Sequence, residues 1–204
     1  MKVIIAIDSF KGSLTSIEAG ETVKEEILKL HPDWQADLIP IADGGEGMLS
    51  VMLNAVGGKI QSLTAHNPCM ELIPTEYGIS TDGSTAFIEM ASISGLPLIR
   101  EEQRNPMRTT TYGTGELIRD ALEKGCPRFI IGIGGSATND AGIGMLQALG
   151  FRFLDADGNI LGQGGEILEK VAHICTQEVH PSLKNAHFIV ACDVQNPFYG
   201  PNGA

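Results

Sequence analysis

Residues 2–41 read KVIIAIDSFKGSLTSIEAGETVKEEILKLHPDWQADLIPI, and they set the fold class. The run at 2–7 is apolar and rich in Val and Ile, which predicts a buried strand. Asp8-Ser-Phe-Lys-Gly-Ser13 follows as a polar turn. Thr15-Ser-Ile-Glu18 matches a capping box, in which each side chain satisfies the other residue's free amide. Val23, Ile27 and Leu30 continue at spacings of four and three, one face of a helix, and Pro32 closes it. Residues 36–41 predict a second strand. Strand, helix and strand in that order open a parallel sheet, so the class is α/β.

Beyond this unit, Ala42-Asp-Gly-Gly-Glu-Gly47 is a glycine turn leading into a helix from about Met48 to Ala55, closed by Gly57-Gly58. Residues 59–91 change character, with short extended stretches and a hairpin turn at Asp82-Gly83, and predict antiparallel strands of a second lobe. A helix spans Gly115 to Lys124 with Leu117, Ile118, Ala121 and Leu122 inward and Gly125 as its C-cap. The strand Arg128-Phe-Ile-Ile-Gly-Ile133 runs into a glycine-rich turn and then a helix to Leu149. The last predicted strand, His187 to Cys192, is read as buried and ends at Asp193.

Composition narrows the function classes. The chain has 204 residues, 43% hydrophobic and 19% charged, as in a folded globular protein. Its net charge of −11 repels phosphate backbones, which argues against a nucleic-acid partner. An anionic substrate then needs local cations or a metal, and an acidic excess favours magnesium. Cys69, Cys126, Cys175 and Cys192 are far apart with no CxxC pair, and read as reduced thiols of a cytoplasmic protein. The apolar run at the N-terminus stops at Asp8, too short for a signal peptide, and no run is long enough to cross a membrane.

Five constellations carry candidate chemistry. In Gly134-Gly-Ser-Ala-Thr-Asn-Asp140, small residues between a strand and a helix let backbone amides approach phosphate, with Ser136, Thr138 and Asn139 as side-chain donors and Asp140 to orient them or hold a metal. The turn lacks the lysine of a Walker loop and the third glycine of a dinucleotide fingerprint, and a purely structural turn is the plainer alternative. Asp8, Ser9, Lys11 and Ser13 follow a strand end, where ligands of open α/β sheets gather. Asp43 and Glu46 could hold magnesium or simply favour a helix N-terminus. Asp193, at another strand end, suits a general base or an Asx turn. Arg108 could fork onto a carboxylate. The five histidines show no metal-ligand spacing.

Together, Asp8–Leu14, Ala42–Gly47, Asn105–Glu116, Gly132–Gly142 and Cys192–Pro197 resemble, in order, the successive blocks of the bacterial glycerate kinase type I family. The resemblance covers essentially the whole chain. It implies a non-P-loop kinase fold of two α/β domains with parallel or mixed sheets and a cleft between them. On this division residues 1–64 are the first part of a Rossmann-like domain and 65–204 a second α/β domain. It also implies ATP and Mg2+ as cofactors and D-glycerate as substrate, with the 2-hydroxyl favoured over the 3-hydroxyl, in organic acid breakdown. Family members continue about as far again, so the resemblance implies that a C-terminal half is missing. A parallel sheet without those neighbours has an open edge, and self-association or disorder near the C-terminus is expected from it.

The expected roles follow from phosphoryl transfer as positioning and charge stabilisation. Gly134, Gly135, Ser136, Ala137, Thr138, Asn139 and Asp140 cradle phosphate. Lys11 offsets charge, with Ser9 and Ser13 near the substrate and Arg108 on its carboxylate. Asp43, Glu46 or Asp193 holds the metal, and Asp193 or Asp8 takes the hydroxyl proton. Two rivals are a kinase-like binding module without turnover and a nucleotide-dependent dehydrogenase.

Overall fold

The computed structural model describes residues 1–192, 194–197 and 200–202. Strand β1 (Lys2–Ile5), helix α1 (Ser16–Leu30) and strand β2 (Gln35–Leu38) form the opening unit, with β1 and β2 paired in parallel from Lys2↔Gln35 to Ile5↔Leu38. The capping box forms as expected: the Thr15 amide donates to Glu18 Oε2 at 2.9 Å, and the Glu18 amide donates to Thr15 Oγ1 at 3.2 Å.

The packing of this unit differs from the reading of its sequence. Helix α1 buries Ser16, Ala19 and Gly20, whereas Leu30 is 74% exposed. Small residues let the helix lie close on β2: a Cβ on Gly20 would sit 2.2 Å from Leu38 Cδ1, the movable end of a side chain. Strand β1 is likewise not a buried strand, since only Ile5 is buried and Ile4 is 61% exposed. A two-stranded sheet with a helix on one side leaves its other face open.

Helix α2 (Met48–Val56) leads to a second, five-stranded sheet. Its strands are β3 (Gly58–His66), β4 (Leu72–Ser80), β5 (Thr85–Glu89), β6 (Arg128–Gly132) and β9 (His187–Ala191), in that spatial order. The pairings β3–β4 and β4–β5 are antiparallel, while β5–β6 and β6–β9 are parallel, so the sheet is mixed. The 64/65 division expected from sequence falls inside β3; the change of sheet lies before it, at Gly57-Gly58.

The β4–β5 hairpin turns where expected. Asp82 Oδ1 accepts from Ser80 Oγ and from the Ser84 amide, and Gly83 takes a left-handed φ of +72°. The short helix α3 (Ala91–Ser94) and α4 (Tyr112–Glu123) connect β5 to β6. Leu117, Ile118, Ala121 and Leu122 of α4 are buried against Tyr77, Ile88 and Phe129 of the sheet, as the helical spacing predicts. Between β6 and β9 the chain forms helix α5 (Ile143–Ala148) and an antiparallel ribbon of β7 (Arg152–Leu154) and β8 (His173–Cys175). Ile143, Phe153 and Ile167 make a small core of their own there.

Strand β9 corrects the expectation of a buried last strand. Phe188 stacks on Phe129 at 4.8 Å, but Ile189 is 62% exposed and Val190 is also exposed. The reason is its place: it pairs with β6 on one side and is last in the sheet order. Among the described residues no helix is long and apolar enough to cross a membrane.

Candidate functional site

The C-terminal ends of three parallel strands define one edge. Glu89 of β5, Gly132 of β6 and Ala191 of β9 are in register there. The Asp43–Gly47 loop, arriving from the opening unit, lies across this edge. The Gly134 amide donates to the Gly44 carbonyl at 3.1 Å. A Cβ on Gly134 would be 2.7 Å from Gly45 Cα, and one on Gly44 would be 2.5 Å from the Ala191 carbonyl oxygen. Glycine is required here for close backbone crossing, and that crossing joins two motifs about ninety residues apart in sequence.

The acidic loop also meets the first motif. Lys11 Nζ lies 3.6 Å from Asp43 Oδ2, and the Gly45 amide donates to Asp43 Oδ1 at 2.9 Å. Lys11 is 74% exposed, so this ion pair adds little to stability; it leaves a mobile cation beside a carboxylate. Phe10 to Leu14 form a tight turn, with the Phe10 amide donating to the Leu14 carbonyl at 2.8 Å. Ser16 Oγ donates to the Ile7 carbonyl at 2.7 Å and accepts from the Ile41 amide at 3.1 Å, tying the exits of β1 and β2 together. Asp8, Ser9, Lys11, Ser13 and Glu46 line a cavity of about 220 Å³ beside this turn. Asp8 Oδ1 accepts from the Ser9 amide.

The glycine turn is arranged differently from a strand running straight into a helix. Residues 135–137 run antiparallel to 94–96, with the Leu96 amide donating to the Gly135 carbonyl and the Ala137 amide donating to the Ser94 carbonyl. The Thr138 amide donates to Ser136 Oγ at 3.1 Å. Among the described residues, the amides of Gly135, Ser136 and Asn139 meet no protein acceptor. Helix α5 begins only at Ile143 and has six residues. The amides of Gly142 and Gly144 at its start donate to Asp140, which is 1% exposed. That helix start is therefore occupied by a carboxylate of the chain itself.

The 105–111 loop adjoins the same turn through Thr109 Oγ1, which donates to the Ala137 carbonyl at 2.8 Å. Arg108 is exposed on this loop and does not line the Lys11 cavity. The structure thus gathers Asp8, Ser9, Lys11, Ser13 and Glu46 around one cavity, sets Asp43 beside Lys11 at its margin, and joins this loop to Gly134. Asp193 lies outside the described residues.

Glu89 belongs to this edge and was missed in the sequence. Its Oε2 accepts from the Gly47 amide at 3.1 Å and the Leu49 amide at 3.3 Å, holding the acidic loop and the start of α2. The only sequence signal is an acid closing the apolar strand Thr85–Glu89. Burial pushes its pKa up, and Glu46 and Glu76 add to the shift, against the two amides that lower it. A raised folded-state pKa means that stability is greatest below the carboxylate range and falls as pH rises through it. Glu89→Gln keeps an acceptor oxygen without the charge. It is expected to melt at or above the wild-type temperature at neutral pH, with the difference vanishing in acid. A thermal melt series across pH checks this, and a Gln variant that is less stable at neutral pH contradicts it.

Comparisons with known proteins bear on the family and the fold. The sequence model of the Glycerate kinase family matches residues 3–204. The chain is 48% identical over 204 residues to a glycerate 2-kinase of Escherichia coli K12, and 47% identical to a glycerate kinase of Haemophilus influenzae. Each match covers 100% of this chain and 54% of the relative, so the chain spans about half the length of the curated relatives it matches. A crystal structure of a protein designated glycerate kinase 2 in Salmonella typhimurium LT2 superposes with a TM-score of 0.87 at 46% identity, covering 100% of this chain and 55% of that one. A family match over nearly every residue, with the fold in agreement, places this chain in the glycerate kinase family.

Proposed function

We propose that this chain carries the site at which the γ-phosphoryl group of ATP passes to a hydroxyl of D-glycerate, giving 2-phosphoglycerate. The supporting observation is the convergence of Lys11, the Asp43–Gly47 loop and the Gly134–Asn139 turn at one sheet edge. The name glycerate 2-kinase carried by the Escherichia coli relative favours the 2-hydroxyl.

The cavity fits the acid by size, and its carboxylates call for a cation besides Lys11. A cavity of about 220 Å³ suits a three-carbon acid, since drug-sized ligands fill roughly 300–1,000 Å³. A triphosphate therefore belongs over the open turn, where the Gly135, Ser136 and Asn139 amides await an acceptor and Thr138 adds a hydroxyl. Asp43 and Glu46 are two carboxylates without a third His, Cys or acid completing a cage among the described residues. Such a pair suits magnesium, which keeps water and phosphate oxygens among its ligands. Magnesium, when bound, supplies neutralisation of phosphate charge.

The chain's own groups do the rest. Lys11 offsets negative charge on the transferred group or on the glycerate carboxylate. Ser9 and Ser13 position the acid, whereas Arg108 lies outside that cavity, on the loop that adjoins the Gly134–Asn139 turn. Asp193, or Asp8, takes the proton of the attacking hydroxyl. We place the reaction in the cytoplasm, in organic acid breakdown. Ligand binding to the folded state raises the melting temperature, so ATP is expected to stabilise this protein and NAD is not. Stabilisation by NAD alone would support the dehydrogenase reading instead.

The open edge of β9, with Ile189 and Val190 exposed, is also a template for further strand pairing. Residues 1–204 are expected to self-associate, with a light-scattering mass that rises with concentration and falls back towards the monomer in Ile189→Lys. A monomer at every concentration contradicts this.

A further inference from the structure

Asp140 is the most completely buried carboxylate at the site edge, and its charge is met by hydrogen-bond donors of the chain rather than by a base. Its Oδ2 accepts from the Thr111 amide at 2.8 Å, Thr111 Oγ1 at 2.9 Å, the Gly144 amide at 3.1 Å and Thr110 Oγ1 at 3.3 Å. Its Oδ1 accepts from the Gly142 amide at 3.0 Å and shares the Thr111 hydroxyl at 3.1 Å. Both oxygens are filled by the protein, which leaves no lone pair aimed at a ligand.

The donors come from two separate runs of chain. Thr110 and Thr111 precede α4, while Gly142 and Gly144 lie at the start of α5. Thr111 Oγ1 also accepts from the Met145 amide at 2.9 Å, so the hydroxyl and the carboxylate bind each other and both runs. The fit leaves no slack: a Cβ on Gly144 would lie 2.0 Å from Thr110 Oγ1. Ala141, next to Asp140, is held at φ +52°, a left-handed backbone that side chains rarely adopt. One step before Thr110, Thr109 Oγ1 binds the Ala137 carbonyl at 2.8 Å.

We propose that Asp140 is a positioning residue that locks the 105–111 loop, which carries Arg108, to the Gly134–Asn139 turn, and that it acts on phosphate only through the backbone it holds. The inference rests on the phosphate-binding reading of that turn. It changes the expected role of Asp140 from a ligand contact to the clamp beneath the contacts.

The test compares Asp140→Asn, Thr111→Val, Thr111→Ser and the double variant Asp140→Asn/Thr111→Val in the full chain. The readouts are hydrogen exchange and ATP affinity by calorimetry, both well below each variant's melting temperature. In Asp140→Asn the new amide group faces donors that it cannot accept from. Asp140→Asn and Thr111→Val should each speed exchange at 109–112 and 139–145 and leave the β3–β5 core at wild-type rates. Each should weaken ATP binding by about tenfold. Thr111→Ser, which keeps the hydroxyl, should behave as wild type, and the double variant should be little worse than either single one.

Two results overturn the proposal. One is weaker ATP binding in Asp140→Asn with unchanged local exchange and a normal Thr111→Val, which makes Asp140 a ligand contact. The other is faster exchange throughout the chain with ATP affinity intact, which makes it structural only. If the wild type binds no ATP, the phosphate reading fails by itself, and local against global exchange still decides whether Asp140 couples the two loops.

Discussion

Gly134→Val is expected to part the acidic loop from the glycine turn and to remove ATP binding with little change elsewhere. Any Cβ at this position meets Gly45 Cα at 2.7 Å and the Gly45 nitrogen at 3.1 Å. Both are backbone atoms and cannot rotate away, so the two segments must separate. Overpacking of this kind costs about 1–3 kcal/mol, which for a chain of this size lowers the melting temperature by roughly 2–12 °C. ATP affinity should fall by more than about tenfold, since the Lys11–Asp43 group and the phosphate turn no longer face one another. Gly135→Val is the companion control. Gly135 is exposed, has φ +73° and would place its Cβ 3.4 Å from Ala91 Cβ, so its cost is mainly left-handed strain of about 1–2 kcal/mol. It should melt closer to wild type yet lose ATP binding as well, because the branched side chain stands where phosphate meets backbone. Calorimetry on folded variants decides: unchanged ATP affinity in both makes this turn structural.

Asp193→Asn is expected to produce the largest change in rate. The substitution keeps the shape and removes the charge. A general base contributes about 10²–10⁴-fold, so kcat in a turnover-competent chain should fall by that factor while the melting temperature stays. Magnesium titration separates two roles, since only a lost metal ligand raises the magnesium requirement. Near-wild-type turnover excludes both, and Asp8 is then the remaining carboxylate for the proton.

What could be read from the sequence was local. The capping box at Thr15 and Glu18, the Asp82-Gly83 hairpin and the inward face Leu117, Ile118, Ala121 and Leu122 depend on neighbours within a few residues, and the structure has all three. What depended on distant partners was not legible. Val and Ile in β1 and β9 look the same whether a strand is covered or at an edge, and only the sheet order shows that β9 is an edge. The Ser16, Ala19 and Gly20 face of α1 is polar and small, so its apolar periodicity pointed to the wrong side; Leu38 decides the matter from β2. The motif residues were legible as glycine and acid clusters at strand ends, but not their mutual contacts. Glu89 was missed because its role, accepting the Gly47 and Leu49 amides, exists only once β5 and the acidic loop are adjacent. Asp140 was visible as a residue of the turn, but its six contacts come from Thr110, Thr111, Gly142 and Gly144, and pairing across thirty residues is not written in a single sequence.

The most direct test of the kinase reading is phosphorus NMR of ATP, magnesium and D-glycerate incubated with this chain extended by the second half of a full-length relative, since the relatives are about twice as long. The expected result is loss of the γ-phosphate resonance and growth of ADP and of a phosphomonoester on the 2-hydroxyl of glycerate. Neither change is expected without glycerate or in the Gly134→Val chain. ATP left intact by the folded, extended protein, or hydrolysed to inorganic phosphate with no glycerate ester formed, would contradict the kinase reading.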